Sequence, residues 1–400
     1  MSIIENIGLL DTRNIKEDLA KNITKICNIG ILIESDESQL LLKNCEKVNI
    51  GCIVKIPKNI QLVTCSGNLK IDRSYLEGLL NPVAILVNGI TIFKEDVDIN
   101  LINEKIYCMI VNGRIVCPEK LSGVIQSKST INGRISSYKD GYILFKDAVV
   151  LNNQFLYGLK PHSKLAIDKV IIIEDVDMNL FEEKVSNIQI LNKLVIADEL
   201  EKEFVQYIDE YYSLDKTVVP KGSKYIEQDI NLDDNTIKRY NDSILFVDGE
   251  VEICLEDDSK LKEHIKSLIC DSVVCSAKNY DAVKSILGNE DIEIETIKGK
   301  LLKNTGKMVL SGIVQNVDEG VTVKNLGKLV IDENIDLDMF NKKVKSILNF
   351  GLIVAPEKAI NIVRSKIKEN YGNIKMSSSQ KDEIVEKENI LYSNTGELRL

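Results

Sequence analysis

Two histidines are the only imidazoles available for acid–base or metal chemistry in this chain of 400 residues. His162 stands in LKPHSK, a loop-like stretch with no second histidine, no nearby cysteine and no metal-ligand spacing. His264 stands in LKEHIKSL, which has the pattern of a helix whose polar face is solvated. The sequence therefore predicts a loop histidine and a surface histidine, and it does not favour a zinc site or a Cys-His nucleophile.

Cysteines are more numerous, but their surroundings do not indicate chemistry. There is no CxxC word, the count is odd, and most of the thiols stand inside aliphatic strings such as KICNIGIL, where cysteine acts as a small buried hydrophobe. Reduced core cysteines are the prediction, and disulfides or a metal or catalytic role are the alternatives. The nine positions are 27, 45, 52, 65, 108, 117, 254, 270 and 275.

Nucleotide and cation motifs are also weak. GKLLKNTGKM, which starts at residue 299, has the wrong spacing for a phosphate-binding loop, and neither GxGxxG nor GxSxG occurs. The acidic words EDVD at 95 and 174 and EDD at 256 could hold a hard cation, but they lack the glycine and distal glutamate of a calcium loop. Helix caps and solvated faces are the favoured interpretation, so no catalytic residue, cofactor or metal is predicted.

One aromatic cluster could contact a partner. In FVQYIDEYY, Phe204, Ile208 and Tyr211 have the spacing of a buried helical stripe. Tyr207 and Tyr212 fall off that stripe, and exposed tyrosines are frequent in interfaces. These two residues are the candidate partner-contact positions, against the alternative of ordinary packing and solvated phenols.

Charge and hydropathy restrict the partners. The net charge of −10 disfavours generic binding to nucleic acid or anionic lipid, and basic residues are dispersed among acids. No apolar run reaches the roughly 18 residues of a membrane span. The first 20 residues have no basic leader and contain acids, which indicates a cytoplasmic protein. Protein partners or self-association are therefore predicted, without nucleic acid or membrane.

A repeat of about 80 residues covers most of the chain. EDVDINLINEKI at 95 and EDVDMNLFEEKV at 174 are identical at eight of twelve positions, and ENIDLDMFNKKV at 333 is a third copy. IVCPEKL at 115 likewise returns as IVAPEKA at 353. The anchor residues of the copies are 79, 80 and 79 residues apart, after a more divergent first copy; they are Ile23, Ile106, Val185, Ile265 and Val344.

Each copy contains a shorter period of 20 to 21 residues. NIG at 28 recurs at 49, VNG at 111 recurs as ING at 131, and NFG at 349 recurs as NYG at 370. Because asparagine and glycine tolerate positive φ, we expect these words to form turns that begin strands.

Helices are predicted between the strands. Phe340, Val344 and Ile347 have i, i+4, i+7 spacing, as do Phe181 and Val185 in the related copy. PEKLSGVIQSK and PEKAINIVRSK place one apolar face after a proline at the first turn. Asp177 and Asp336 occupy expected N-cap positions.

The fold prediction is an α/β repeat, a solenoid-like stack of short parallel strands and short helices with rungs of about 20–24 residues. Tandem small α/β domains of about 80 residues are the alternative. The predicted boundaries are 1–82 for a divergent N-terminal capping unit, 83–162, 163–241, 242–322 and 323–374 for units two to five, and 375–400 for a polar C-terminal cap or tail.

The favoured function is a non-enzymatic structural or scaffolding protein that mediates protein–protein interaction or self-assembly, because repeats present extended surfaces of similar faces. The Ile-, Asn- and Lys-rich composition is typical of an AT-rich bacterium and suggests an intracellular or spore-associated assembly. The alternative is an enzyme, or a small-molecule or regulatory binding protein, with an unfamiliar site on the repeat surface.

Overall fold

The computed structural model describes residues 2–289, 291–311, 317, 320–377 and 389–400. In these residues the chain is an α/β protein whose short strands pair in parallel and are joined by short helices. The strands are β1 Ser2–Asp11, β2 Ile23–Glu34, β3 Glu46–Lys55, β4 Gln61–Ile71, β5 Val83–Phe93, β6 Ile106–Pro118, β7 Ser129–Tyr138, β8 Ile143–Val150, β9 Ser163–Ile172, β10 Val185–Ala197, β11 Asp215–Val219, β12 Lys224–Ile226, β13 Ile230–Asp233, β14 Ser243–Cys254, β15 Ile265–Ser276, β16 Glu293–Ile297, β17 Lys300–Asn304, β18 Lys307–Leu310, β19 Val321–Asn325, β20 Lys328–Ile331, β21 Val344–Asn349, β22 Leu352–Ala355, β23 Ile367–Asn370, β24 Asn373–Met376 and β25 Asn389–Arg399.

The helices of the described residues are short, with five to ten residues each. They are α1 Glu17–Asn22, α2 Asp36–Leu41, α3 Arg73–Glu77, α4 Ile99–Lys105, α5 Glu119–Lys128, α6 Asn153–Tyr157, α7 Met178–Lys184, α8 Asp198–Phe204, α9 Ser259–His264, α10 Tyr280–Ile286, α11 Leu337–Lys343 and α12 Glu357–Lys366. No helix in the described part of the chain is both long enough and apolar enough to cross a bilayer.

The strands form six sheets. Their orders are β25-β1-β2-β3, β4-β5-β6-β7, β11-β10-β9-β8, β12-β14-β15-β16 with β13 also beside β14, β17-β19-β21-β23, and β18-β20-β22-β24. In the first four sheets most strands pair with a sequence neighbour, through the crossover connection that parallel pairing requires. The fifth and sixth sheets instead take every second strand of the chain, and in the first sheet β25 pairs with β1 along its length.

The recurring glycine words pair with each other in register. Asn112 lies opposite Asn132 and Gly113 opposite Gly133, so VNGRIV and INGRIS are neighbouring segments of one sheet. The prediction that such words are turns that begin strands is wrong for the first two sheets, because they lie inside long strands. The strands are paired in parallel on both sides of each asparagine–glycine word, so the backbone bends there without leaving the sheet.

The five anchor residues occupy equivalent structural positions. Each is the first residue of a strand, in β2, β6, β10, β15 and β21 respectively, and each is buried. The prediction that Val185 and Val344 belong to helices is therefore wrong, because both residues begin strands. Helix α7 ends at Lys184 and α11 ends at Lys343, so only Phe181 and Phe340 belong to helices.

The predicted helix starts are confirmed. The Asp177 carboxylate accepts hydrogen bonds from the backbone N–H groups of residues 179 and 180, and Asp336 does the same at residues 338 and 339. These bonds pair N–H groups that a helix leaves without partners. Pro118 and Pro356 directly precede α5 and α12.

The second sheet shows how the core is layered. Ile85 and Val87 pack with α3, α4 and α5, whereas the alternate residues Ala84 and Leu86 pack against the first sheet. A strand that is buried on both faces reads as a continuous apolar run, which explains VAILV at 83–87. Near the other end of β5, Ile92 packs with residues of the third sheet.

The described chain forms two compact units. One contains residues 2–195, 203–217 and 389–400, and the other contains 196–202 and 218–377, with the gaps given above. The boundaries of the 80-residue units expected from the sequence stay a prediction. Of the predicted C-terminal cap, residues 378–388 lie outside the described residues, and 389–399 form β25.

Candidate interaction surface

Asparagine side chains form ladders across the sheets. Asn28 Nδ2 donates to Asn6 Oδ1 at 3.0 Å, and Asn49 Nδ2 donates to Asn28 Oδ1 at 2.8 Å. These three residues and Asn394 of β25 have φ between 54° and 57°, a left-handed conformation that asparagine tolerates better than most residues. Each ladder step therefore repeats both a backbone bend and an amide hydrogen bond.

Glycines form a second ladder two residues later. A Cβ atom built on Gly30 would lie 2.6 Å from the carbonyl oxygen of Gly8, and one on Gly8 would lie 2.6 Å from that of Gly396. Gly51 meets Gly30 in the same way. Glycine is required at these places because the neighbouring backbone fills the space of a side chain.

The glycine ladders have a direction. Each glycine after the first packs against the carbonyl of the preceding one, while a Cβ on the first glycine would meet no atom within 4 Å in the structure. The three ladders run Gly396, Gly8, Gly30, Gly51; Gly67, Gly89, Gly113, Gly133; and Gly306, Gly327, Gly351, Gly372. The first glycine of each ladder has open space beside it, and the last glycine lies at the opposite end of the row of paired strands.

The edge strands of the first sheet carry exposed apolar side chains. In β3, Val48 is 40% exposed and Ile53 is 49% exposed. In β25, Ile390 and Leu391 are exposed as well. A sheet edge presents backbone N–H and C=O groups that can pair with a further strand.

A groove of about 660 Å³ lies between the first and second sheets. Asn88, Asn112 and Asn132 form part of its wall, and their amides make hydrogen bonds of 2.7 and 2.8 Å with each other. Gly8, Gly30 and Gly396 line the same groove with Leu9, Ile31 and Glu397. The groove therefore offers an amide ladder beside bare backbone.

A charged centre lies beside a second, smaller cavity. The Arg114 guanidinium pairs with Asp168 and donates from Nε to Ser136 Oγ at 2.9 Å. Its Nη2 is buried and has no hydrogen-bond partner among the described residues. The adjoining cavity of about 60 Å³ is also lined by Ile92 and Leu144, so it has room for very small molecules only.

Carboxylates and lysines form a network in the other compact unit. Glu250 pairs with Lys324 and Lys303, and Lys303 also reaches Asp229 at 2.9 Å. Burial, together with the Glu250 carboxylate, raises the pKa of Glu252, while the lysines act in the opposite direction. This arrangement is typical of a packed, charge-balanced face, and it contains no nucleophile.

The two tyrosines predicted as partner contacts have different environments. The Tyr207 hydroxyl donates to Glu182 at 2.7 Å, and its ring packs edge-on against Phe181. Tyr212 is 89% exposed beside the buried Tyr211. A shallow depression includes Tyr212 but not Tyr207, so the structure does not bring the two together at one site. Their role as contacts stays a prediction.

The predicted aromatic stripe is buried, but it is not a single helix. Phe204 ends α8, Ile208 makes an isolated bridge to Ile188, and Tyr211 begins a 3₁₀ turn. All three side chains are buried. The spacing therefore identified core positions, but the backbone is already extended at Ile208, so the helix ends before the stripe does.

Histidines and cysteines give no constellation for catalysis. His162 is an exposed loop residue, and His264 Nδ1 lies 2.7 Å from the carbonyl oxygen of Tyr240. All nine cysteines are free thiols, four of them buried, and burial raises the pKa of the Cys117 and Cys270 thiols to about 12. Within the described residues, no group of three or more His, Cys, Asp or Glu side chains has the arrangement of a metal site.

Comparison with known proteins adds no relative: no family model, curated protein or solved structure matches this chain. The ladders and edges were not identified as an interaction surface by sequence reasoning. A signal existed in the word NTG at 394–396, which repeats the spacing of NIG at 28–30 inside the predicted tail.

Proposed function

We propose that the protein is a non-enzymatic structural scaffold whose short rungs stack as an α/β solenoid and which mediates protein–protein interaction or self-assembly. The observation that carries this proposal is the open edge at each end of the first sheet, with a long strand on each side. Such edges are sites for strand addition unless they are blocked.

The composition of the edges supports the same function. β3 contains no proline, and five of its ten residues are Val, Ile or Cys with partial exposure or more, namely Val48, Ile50, Cys52, Ile53 and Val54. An edge is usually protected by proline, bulges or charged side chains such as lysine, and in β3 the charges lie only near its two ends. In this proposal the protein acts in the cytoplasm, as part of an intracellular or spore-associated bacterial assembly.

The test is a measurement of molecular mass by light scattering across a concentration series, with negative-stain microscopy and identification of proteins captured from the native cells. A scaffold gives assemblies, or reproducible capture of a defined partner. A particle that remains monomeric at every concentration and retains no defined partner contradicts the proposal.

A second candidate function is small-molecule binding in the groove between the first two sheets. Its supporting observation is the groove volume of about 660 Å³, which is within the usual range of ligand pockets, together with the amides of Asn88, Asn112 and Asn132. Thermal-shift screening with a metabolite library tests it. A stabilising compound should lose its effect in Asn112→Leu and keep it in Asn22→Leu, an exposed helix position.

A further inference from the structure

We infer that the partner of the first sheet is a second copy of this chain, whose β25 pairs in parallel with β3 of the first copy. The inference rests on the proposed function and specifies its partner and contact. The first and second sheets both have edge strands of ten and eleven residues, compared with four in the sheet of β18 and β24. Of the two, only the first sheet has large exposed apolar side chains on its edge strands, among them Val48, Ile53 and Ile390. Longer edges offer more backbone hydrogen bonds.

The direction of the glycine ladder determines which edges meet. Gly51 ends the ladder at one edge, with Gly30 behind it, and Gly396 begins it at the other edge. Gly396 has neither a positive φ nor an intramolecular neighbour that excludes a side chain. The carbonyl of Gly51 in a second copy would fill the space beside Gly396, as Gly396 itself does for Gly8.

The existing register predicts the contacts of this pair. Leu9 lies opposite Glu397 on one side and Ile31 on the other, and Ile31 lies opposite Cys52. Continuing the same offset places Cys52 opposite Glu397 of a second copy. It likewise places Asn49 opposite the second copy's Asn394, which has the same left-handed backbone conformation.

The same register covers exposed apolar surface. Ile53 continues the column of Leu398, Leu10 and Leu32, and its free side would meet the second copy's Leu398. Because the two contacting edges differ, the contact is heterologous, and repeated addition gives open chains of copies rather than a closed dimer.

Gly396→Ala tests the contact because the substitution should leave the stability of the isolated chain unchanged. The new methyl group meets no atom within 4 Å in the structure, so the thermal unfolding temperature should stay unchanged at concentrations where both proteins are monomeric. In the assembly it would lie near the Gly51 carbonyl, and the dissociation constant from sedimentation should rise roughly 10- to 100-fold. Gly123→Ala, which also adds a methyl group in open space but on α5, is the matched control and should assemble like the original protein.

A cross-link tests the register. Cys52 and position 397 are three strands apart within one chain, about 14 Å, which exceeds the roughly 7 Å limit for a disulfide. In Glu397→Cys, a disulfide between position 397 and Cys52 should therefore form only between copies, seen as a ladder of masses on non-reducing gels. Cys52→Ser in the same background should abolish that ladder.

The outcomes separate the inference from the proposed function. If the original protein assembles and Gly396→Ala assembles equally well, or the 397–52 cross-link does not form, the β3–β25 contact is wrong while scaffolding survives. If the original protein neither assembles nor retains a defined partner, both fail. Loss of assembly in Gly396→Ala with an unchanged unfolding temperature, together with the specific cross-link, supports the contact.

Discussion

The glycines of the first sheet are constrained by the neighbouring strand rather than by their own backbone angles. Gly8, Gly30 and Gly51 lack the positive φ that marks many glycines of this chain, and yet a Cβ atom on each would lie 2.6 Å from a carbonyl oxygen of the neighbouring strand. The constraint is therefore invisible in any single strand. It exists only when parallel strands with the same word lie side by side.

Gly30→Ala should destabilise the protein by about 1–3 kcal/mol, because the methyl group overlaps the Gly8 carbonyl and the strands must separate to admit it. Thermal and urea unfolding measure the change. Gly123→Ala, in the open helix α5, should be neutral or stabilising by up to about 1 kcal/mol. Equal effects of the two substitutions would contradict the close backbone approach.

Glu252 should make stability depend on pH in an unusual direction. Its pKa is raised by burial, so the folded state binds the proton more strongly than the unfolded chain, and stability falls as pH rises through the raised pKa. Glu252→Gln should therefore raise the unfolding temperature at pH 7, and the difference should shrink as pH falls towards the ordinary carboxyl value. Unfolding of both proteins across this range measures it.

The exposed Glu256 of the same segment provides the control for this experiment. Glu256→Gln should leave the pH dependence close to that of the original protein. A Glu252→Gln protein that is less stable than the original at neutral pH would show that the lysine pairs outweigh burial at this position.

At the scale of the element, the asparagine ladders differ in burial. Asn325 is fully buried: it accepts from Asn304 at 2.7 Å and donates to Asn349 at 2.8 Å. Asn112 makes the same pair of bonds, with Asn88 and Asn132, in an exposed ladder. The buried ladder lies where the chain leaves a strand of the fifth sheet and enters a strand of the sixth. Asn325, for example, is the last residue of β19, and β20 begins at Lys328.

Asn325→Ala should cost about 1–3 kcal/mol, because it leaves a buried amide donor and a buried amide acceptor without partners. Asn112→Ala should cost less than about 1 kcal/mol, since water can replace the lost bonds at the exposed ladder. Chemical denaturation of the two variants measures the difference. A larger effect at Asn112 would contradict the assigned burial.

The order of elements was predictable from the sequence where it repeats locally. The five anchors, which the repeat marks as equivalent positions, each begin a buried strand. The ends of the helices were not predictable, because a short helix followed at once by a strand can imitate i, i+4, i+7 spacing, as at Phe340, Val344 and Ile347. The pairing of β25 with β1 was missed because the word NTG at 394–396 matches several strands, including NIG at 6–8, and does not specify which of them is the neighbour.

At the scale of the whole molecule, each of the two compact units contains its own buried clusters. The clusters around Ile26 and Ile85 belong to one unit, and those around Leu245 and Val323 belong to the other. Units with separate cores can unfold in separate cooperative steps.

Calorimetry should therefore resolve two unfolding transitions. Gly30→Ala should lower one of them, and Asn325→Ala should lower the other, because the two residues lie in different units. A single transition that both substitutions shift to the same extent would show that the units unfold together.

The pairing of β25 with β1 has a consequence in time. Ribosomes add about 5–20 residues per second, so β1 waits roughly 20–80 s for the strand that completes its sheet. Throughout that interval the outer side of β1 is open to any passing extended segment, including the same segment of a neighbouring nascent chain. Synthesis rate and chaperone supply should thus influence the yield of correctly joined molecules more than the final stability does.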